Sequence, residues 1–142
     1  MERRESVKYL VTIAVGGLFV CSGLLKLFAF REFVAAVDAY AILPEVLVSP
    51  FAFGVLLAEL ALGLLLIIDR FTAPAAALLA WLVLLFLAAM GIASLQGRAI
   101  DCGCLPGIGR ERLGGWSWLR DALLFFLLVG IVRWRAVRGE DR

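Results

Sequence analysis

Four long apolar stretches constrain this chain of 142 residues more than any other feature. They lie at about residues 9–28, 51–68, 75–95 and 116–134. As helices rising about 1.5 Å per residue, each comes close to the ~20 residues needed to cross about 30 Å of hydrocarbon. None alternates with period two, so a β-barrel is excluded and helices remain as the way to satisfy backbone groups in lipid. Hydrophobic residues make up 63% of the sequence, above the roughly one-half of a soluble domain. Trp116 and Trp134 bracket the last stretch as an interfacial belt would. The expected fold is all-α and polytopic: one domain over residues 1–142, a four-helix transmembrane bundle in contact with membrane lipid.

Charge and composition remove several function classes. The net charge of +2 comes from basic residues flanking the apolar stretches, with no basic stripe for nucleic acid. There is no histidine, so imidazole is unavailable as base, haem ligand or zinc ligand. The segment Met1–Lys8 followed by an apolar stretch has the outline of a signal peptide, with Cys21 placed as a lipoprotein acceptor. The bulky Val20 and the continuing apolar run favour a retained signal-anchor helix instead.

Orientation follows from the flanking Lys and Arg. With the N-terminus cytoplasmic, the inner segments hold Arg3, Arg4, Lys8, Arg70, Arg133, Arg135, Arg138 and Arg142. The outer loops then hold Arg31, Arg98, Arg110 and Arg112. The bias places both termini in the cytoplasm of a bacterial inner membrane, with the first and third loops extracytoplasmic. In the first loop Phe33, Val37 and Tyr40 recur at helical spacing among Arg31, Glu32 and Asp38. That pattern predicts a short amphipathic interfacial helix ended by Pro44. Between the second and third stretches only residues 69–74 remain, which predicts a tight antiparallel helix pair.

The third loop contains Asp101-Cys102-Gly103-Cys104. Two cysteines separated by one glycine can close a very small ring because glycine permits the backbone between them. Such a ring departs from relaxed disulfide geometry, and strain makes the bond easier to reduce. Arg110 and Arg112 favour a thiolate there, while Asp101 opposes it. Redox exchange through Cys102 and Cys104 is the leading reading. An inert disulfide or free pair, and a soft monovalent ion held by two thiolates, stand beside it. Zinc wants four ligands, and the loop supplies too few.

Lys26, Glu59, Arg120 and Asp121 fall within or at the edges of the apolar stretches. Ionisable groups in lipid are costly and turn toward the bundle interior in pairs. All four are expected in the outer half of the membrane, Glu59 deepest, at about 12 Å below the start of its stretch. Their formal charges sum to zero, so Lys26 with Glu59 or Asp121, and Arg120 with the other carboxylate, can neutralise one another. One reading is a polar pocket beneath the cysteines, suited to a quinone head group or to proton relay. The other is a structural ion-pair network with Lys26 and Arg120 reaching for the interface. Ser22, Gly23 and Lys26 share a helix face, and Gly54 with Ala58 forms a small-residue step. Cys21 sits about 140° around the helix from Lys26 and is expected to be a buried small apolar group rather than a resolving thiol.

These residues resemble a known family. Cys21-Ser-Gly-Leu-Leu-Lys26, Phe33, Tyr40-Ala-Ile-Leu-Pro44, Glu59, Asp101-Cys-Gly-Cys104 and Trp118-Leu-Arg120-Asp121 together are similar to the MauE branch of the DoxX-like four-helix membrane proteins. The chain departs at Leu105-Pro106, where Phe often follows the second cysteine, and at Asp121, where Asn often stands. The resemblance implies a role in methylamine utilisation, in maturing a disulfide-rich subunit of methylamine dehydrogenase beside a thioredoxin-like protein. Through the wider group it implies links to quinone. Membrane disulfide-forming enzymes that pass electrons from thiols to quinone typically have two cysteine pairs. Here a second pair would come from a partner. The function expected is thiol–disulfide exchange with a thioredoxin-like or disulfide-containing substrate protein. The alternatives are a non-catalytic assembly factor docking through the Phe33–Tyr40 face, and a soft-metal or small-solute carrier.

Overall fold

The structure is a computed structural model that describes residues 2–97 and 115–139. Cys102, Cys104 and the rest of the third loop lie outside the described residues. Five helices follow in order: α1 (Glu2–Phe28), α2 (Phe30–Ala39), α3 (Glu45–Ile68), α4 (Thr72–Leu95) and α5 (Gly115–Arg138). Among the described residues no strand occurs. Three segments are long and apolar enough to cross a membrane: Ser6–Phe28, Glu45–Ile68 and Thr72–Leu95. Leu57, Leu64 and Trp81 on these segments point outward. On membrane-embedded helices such exposed side chains meet lipid, a solvent as apolar as they are.

The helices run longer than the apolar stretches. α3 begins at Glu45 and passes through Pro50, where a start at Phe51 was expected. Pro50 lies past the first turn of α3, where it lacks the N–H that would donate to the Val46 carbonyl and its ring crowds that carbonyl, yet the helix continues through it. Pro44 caps the helix in extended conformation, and Glu45 complements the positive end of the helix dipole. With α3 starting there, Glu59 sits beyond its midpoint, about 21 Å from its first residue. α4 gains Thr72–Pro74, and α5 extends to Arg138.

The connection between α3 and α4 is three residues, Asp69 to Phe71. The backbone N–H of Arg70 donates to Leu65 at 3.2 Å and that of Asp69 to Leu66 at 3.3 Å. This is a Schellman termination with Asp69 in the left-handed position usually given to glycine (φ 59°). Thr72 Oγ1 donates back to Asp69 Oδ1 at 2.8 Å.

α1 and α3 pack antiparallel through glycine. A Cβ on Gly16 would lie 2.8 Å from the Gly63 carbonyl oxygen, and one on Gly63 would lie 3.0 Å from that of Gly16. Backbones this close are how helices associate where no hydrophobic force separates protein from solvent. The small-residue step expected at Gly54 and Ala58 is not this contact: Gly54 is exposed and has nothing near it. α4 and α5 are also antiparallel, with Leu79, Ala80 and Val83 in one buried cluster with Leu128 and Ile131, and Gly91 beside Trp118.

The helix expected in the first loop is α2. Its Phe33 and Val37 form a buried cluster with Val48, Ala52 and Val55 of α3, and Tyr40 packs with Met90 and Ala93 of α4. α2 stops before Pro44, as Ala41 turns to φ 49°. The Phe33–Tyr40 face is therefore filled by the protein's own α3 and α4. Val37 and Tyr40 also border an apolar groove with Phe51 and Ile92.

Candidate functional site

The four ionisable residues singled out from the sequence come together. Lys26 occupies the last turn of α1, where the negative end of the helix dipole favours a cation. Its Nζ donates to Glu59 Oε1 of α3 at 2.5 Å. Ser22, one turn earlier on α1, donates its hydroxyl to Glu59 Oε2 at 3.5 Å. Arg120 Nε donates to Asp121 Oδ1 at 3.1 Å on α5. Lys26 is 1% exposed, and Glu59 and Asp121 are each 3% exposed, so none of the three reaches solvent. Arg120 is half-buried.

Both pairs line one cavity of about 150 Å³, walled by Phe19 and Ser22 of α1, Glu59 of α3, Phe86 of α4 and Leu124 of α5, among others. Two aromatic rings sit over the Lys26 ammonium, Phe33 at 5.0 Å and Phe86 at 5.5 Å from their centroids. A cation over ring faces gains from their quadrupoles, and more where water is excluded. The lining offers an ammonium, a guanidinium and a hydroxyl as donors, and two carboxylates as acceptors. The formal charges cancel, and with the ionised groups buried against one another the accessible lining is mostly apolar.

Cys21 departs from expectation. It is exposed rather than buried and lines the same cavity. The apolar preference of a free thiol needs no protein interior when the surroundings are lipid.

A third ion pair joins the other end of the bundle. The guanidinium of Arg135 on α5 donates to the Asp69 carboxylate, and Arg135 is 7% exposed. Sequence reasoning treated Arg135 only as a flanking charge. The available signal was a lone acid in a three-residue turn, level with the end of α5. Trp134 stands between Arg135 and Lys8 of α1, at 4.9 and 5.0 Å respectively. Phe33 and Phe86 as partners of Lys26 were likewise missed, because ring contacts between helices leave no spacing pattern.

The family model of the methylamine utilisation protein MauE matches residues 4–135. The chain belongs to the MauE family. The methylamine utilization protein MauE of Paracoccus denitrificans is 32% identical over 126 residues, a span covering 88% of this chain and 68% of the relative. No solved structure matches. The span matched by the MauE model takes in Lys26, Glu59, Arg120 and Asp121 together with Cys21, Cys102 and Cys104.

Proposed function

We propose that the chain is a membrane thiol–disulfide exchange protein, with Cys102 and Cys104 as its redox pair. The observation that carries this reading is the position of the Lys26–Glu59 and Arg120–Asp121 cavity. Lys26 lies in the last turn of α1 and Asp121 in the second turn of α5. The cysteine-bearing segment links α4 to α5 and leaves the bundle at this same end. The described ends that this segment connects, Leu95 of α4 and Gly115 of α5, belong to the end of the bundle that holds these buried, paired charges, which are expensive in lipid and mark function when kept.

In the proposed arrangement the single domain crosses a bacterial inner membrane four times, α5 included, with α2 at the outer interface. Both termini face the cytoplasm, and Cys102 and Cys104 face outward, where disulfides persist. The Lys and Arg distribution supports this orientation. A thiolate of the partner attacks the Cys102–Cys104 bond, a mixed disulfide forms, and the partner's second thiol resolves it. The partner leaves oxidised and the chain is left as a dithiol; the reverse sequence returns it. A thioredoxin-like protein or a maturing disulfide-rich protein fits the partner's role. The name of the Paracoccus relative points to methylamine utilisation as a setting.

The test is trapping. Cys102→Ser and Cys104→Ser variants, each holding one thiol of the pair, are expressed in intact cells and quenched with acid. One of them should accumulate a mixed disulfide with an extracytoplasmic protein. If neither does, and an impermeant thiol reagent fails to reach either sulfur from outside, exchange at this loop is ruled out.

A further inference from the structure

We infer that the seam between α1 and α5, at the end of the bundle where α1 begins and α5 ends, holds an anionic phospholipid. Its phosphate sits on Lys8 and Arg133 beside the Trp134 ring, and an acyl chain lies in the shallow trough beneath. The site is at the opposite end of α1 from Lys26 and stands apart from the exchange reading.

The first observation is charge. The sequence at this end carries eight Lys and Arg against five carboxylates, Glu2, Glu5, Asp69, Glu140 and Asp141. Asp69 already accepts from Thr72 and Arg135. Among the described side chains here, Arg3, Lys8, Arg70 and Arg133 are exposed. A surplus of cations at a membrane surface draws anionic head groups to it.

The second is where these cations sit. The Lys8 ammonium lies 5.0 Å from the centroid of the Trp134 ring, and the Arg135 guanidinium 4.9 Å. Two cations thus share one indole and repel each other across it. An anion beside Lys8 relieves that repulsion, as the Asp69 carboxylate does at Arg135. Lys8 is six residues into α1, and Trp134 is four residues before the end of α5. Those are heights at which Trp and basic side chains meet lipid head groups. Arg133, which precedes the ring, adds an exposed cation on α5.

The third is the shape of the seam below the ring. Ala14, Leu18 and Cys21 recur at helical spacing on one face of α1. Leu18 and Cys21 line the cavity with Arg120 and Leu124, so this face is turned toward α5. Ala14 on it is small and exposed. On α5, Gly130 stands one turn deeper than Trp134 on the same face. It is exposed, and a Cβ there would meet nothing within 4 Å. Small residues on both helices leave a trough directly below a cation, which is the outline of an acyl chain beneath its phosphate. A free phosphate would make no use of the trough.

Native mass spectrometry of the purified full chain, titrated in detergent with phosphatidylglycerol or phosphatidylcholine, tests this. The first molecule of phosphatidylglycerol should bind at least about fivefold more tightly than phosphatidylcholine. Lys8→Gln should weaken phosphatidylglycerol about fivefold, the worth of one cation at a membrane surface, and Arg133→Gln by a similar factor. Lys8→Arg should restore binding. Gly130→Leu, which fills the trough and keeps every charge, should weaken it at least about threefold by steric exclusion. Arg70→Gln makes the same charge change at an exposed position beside Asp69, and Gly54→Leu adds the same bulk at an open position on α3. Both should bind as the parent does. Equal affinity for the two lipids, or equal losses in Lys8→Gln and Arg70→Gln, means diffuse surface charge and overturns the site. Displacement of the lipid by inorganic phosphate, or parent-like binding in Gly130→Leu, overturns the seated phospholipid. No thiol takes part in the titration, so its outcome is separate from that of the trapping experiment.

Discussion

Lys26 and Glu59, 33 positions apart on different helices, meet at 2.5 Å with both side chains almost wholly enclosed. Neither charge has water to turn to. Removing one partner strands the other in a medium of low dielectric. Lys26→Met or Glu59→Leu alone is expected to lower stability by about 3–5 kcal/mol, whereas the double replacement recovers most of that loss. Thermal unfolding in detergent, run as a double-mutant cycle, measures the difference.

The glycine contact between α1 and α3 makes a contrasting pair of predictions. Gly16→Ala or Gly63→Ala forces a methyl group against opposing backbone, and overpacking of this kind costs about 1–3 kcal/mol. Gly17→Ala and Gly54→Ala meet open space and are expected to leave the midpoint of unfolding unchanged or slightly raised. Equal effects at all four glycines would contradict the packing described.

Asp69 has two partners, the Thr72 hydroxyl and the Arg135 guanidinium. Asp69→Ala loses both and places a Cβ residue with no polar side chain in the left-handed region. A loss of about 2–4 kcal/mol is expected, from a broken ion pair, a lost cap and backbone strain together. Asp69→Asn keeps an acceptor and tolerates positive φ, so it should lose less than half as much. Chemical unfolding of the two variants side by side gives the ordering.

Phe33 is 1% exposed and holds α2 against α3. Phe33→Ala is expected to cost about 3–5 kcal/mol, as for other buried aromatic truncations. Hydrogen exchange should rise across residues 30–40 before the rest of the chain. Glu32→Ala, on the exposed side of the same helix, should change neither.

The all-helical character and, among the described residues, the three segments able to cross a membrane were legible because apolar length is a strong signal. The ends of α3 and α4 were less so. The expected starts at Phe51 and Ala75 each lay just beyond a proline, yet Pro74 sits in the first turn of α4, where its missing N–H has no helical partner, and α3 continues through Pro50. That Lys26, Glu59, Arg120 and Asp121 belong together followed from charge and depth. Which carboxylate Lys26 takes did not, since that depends on how α1 and α3 rotate about their axes, and Gly16 and Gly63 set that rotation. Cys21 was misplaced for a different reason. Its angle from Lys26 already turned it away from the bundle centre, but a thiol's preference for apolar surroundings was equated with burial in protein.

The tie between Asp69 and Arg135 has a mechanical corollary. It fastens the α3–α4 turn to the far end of α5, so α4 and α5 are pinned together opposite the point where the cysteine-bearing segment joins them. At the opposite end Gly91 lies beside Trp118, so the two helices are fastened near both tips and their register is fixed from each.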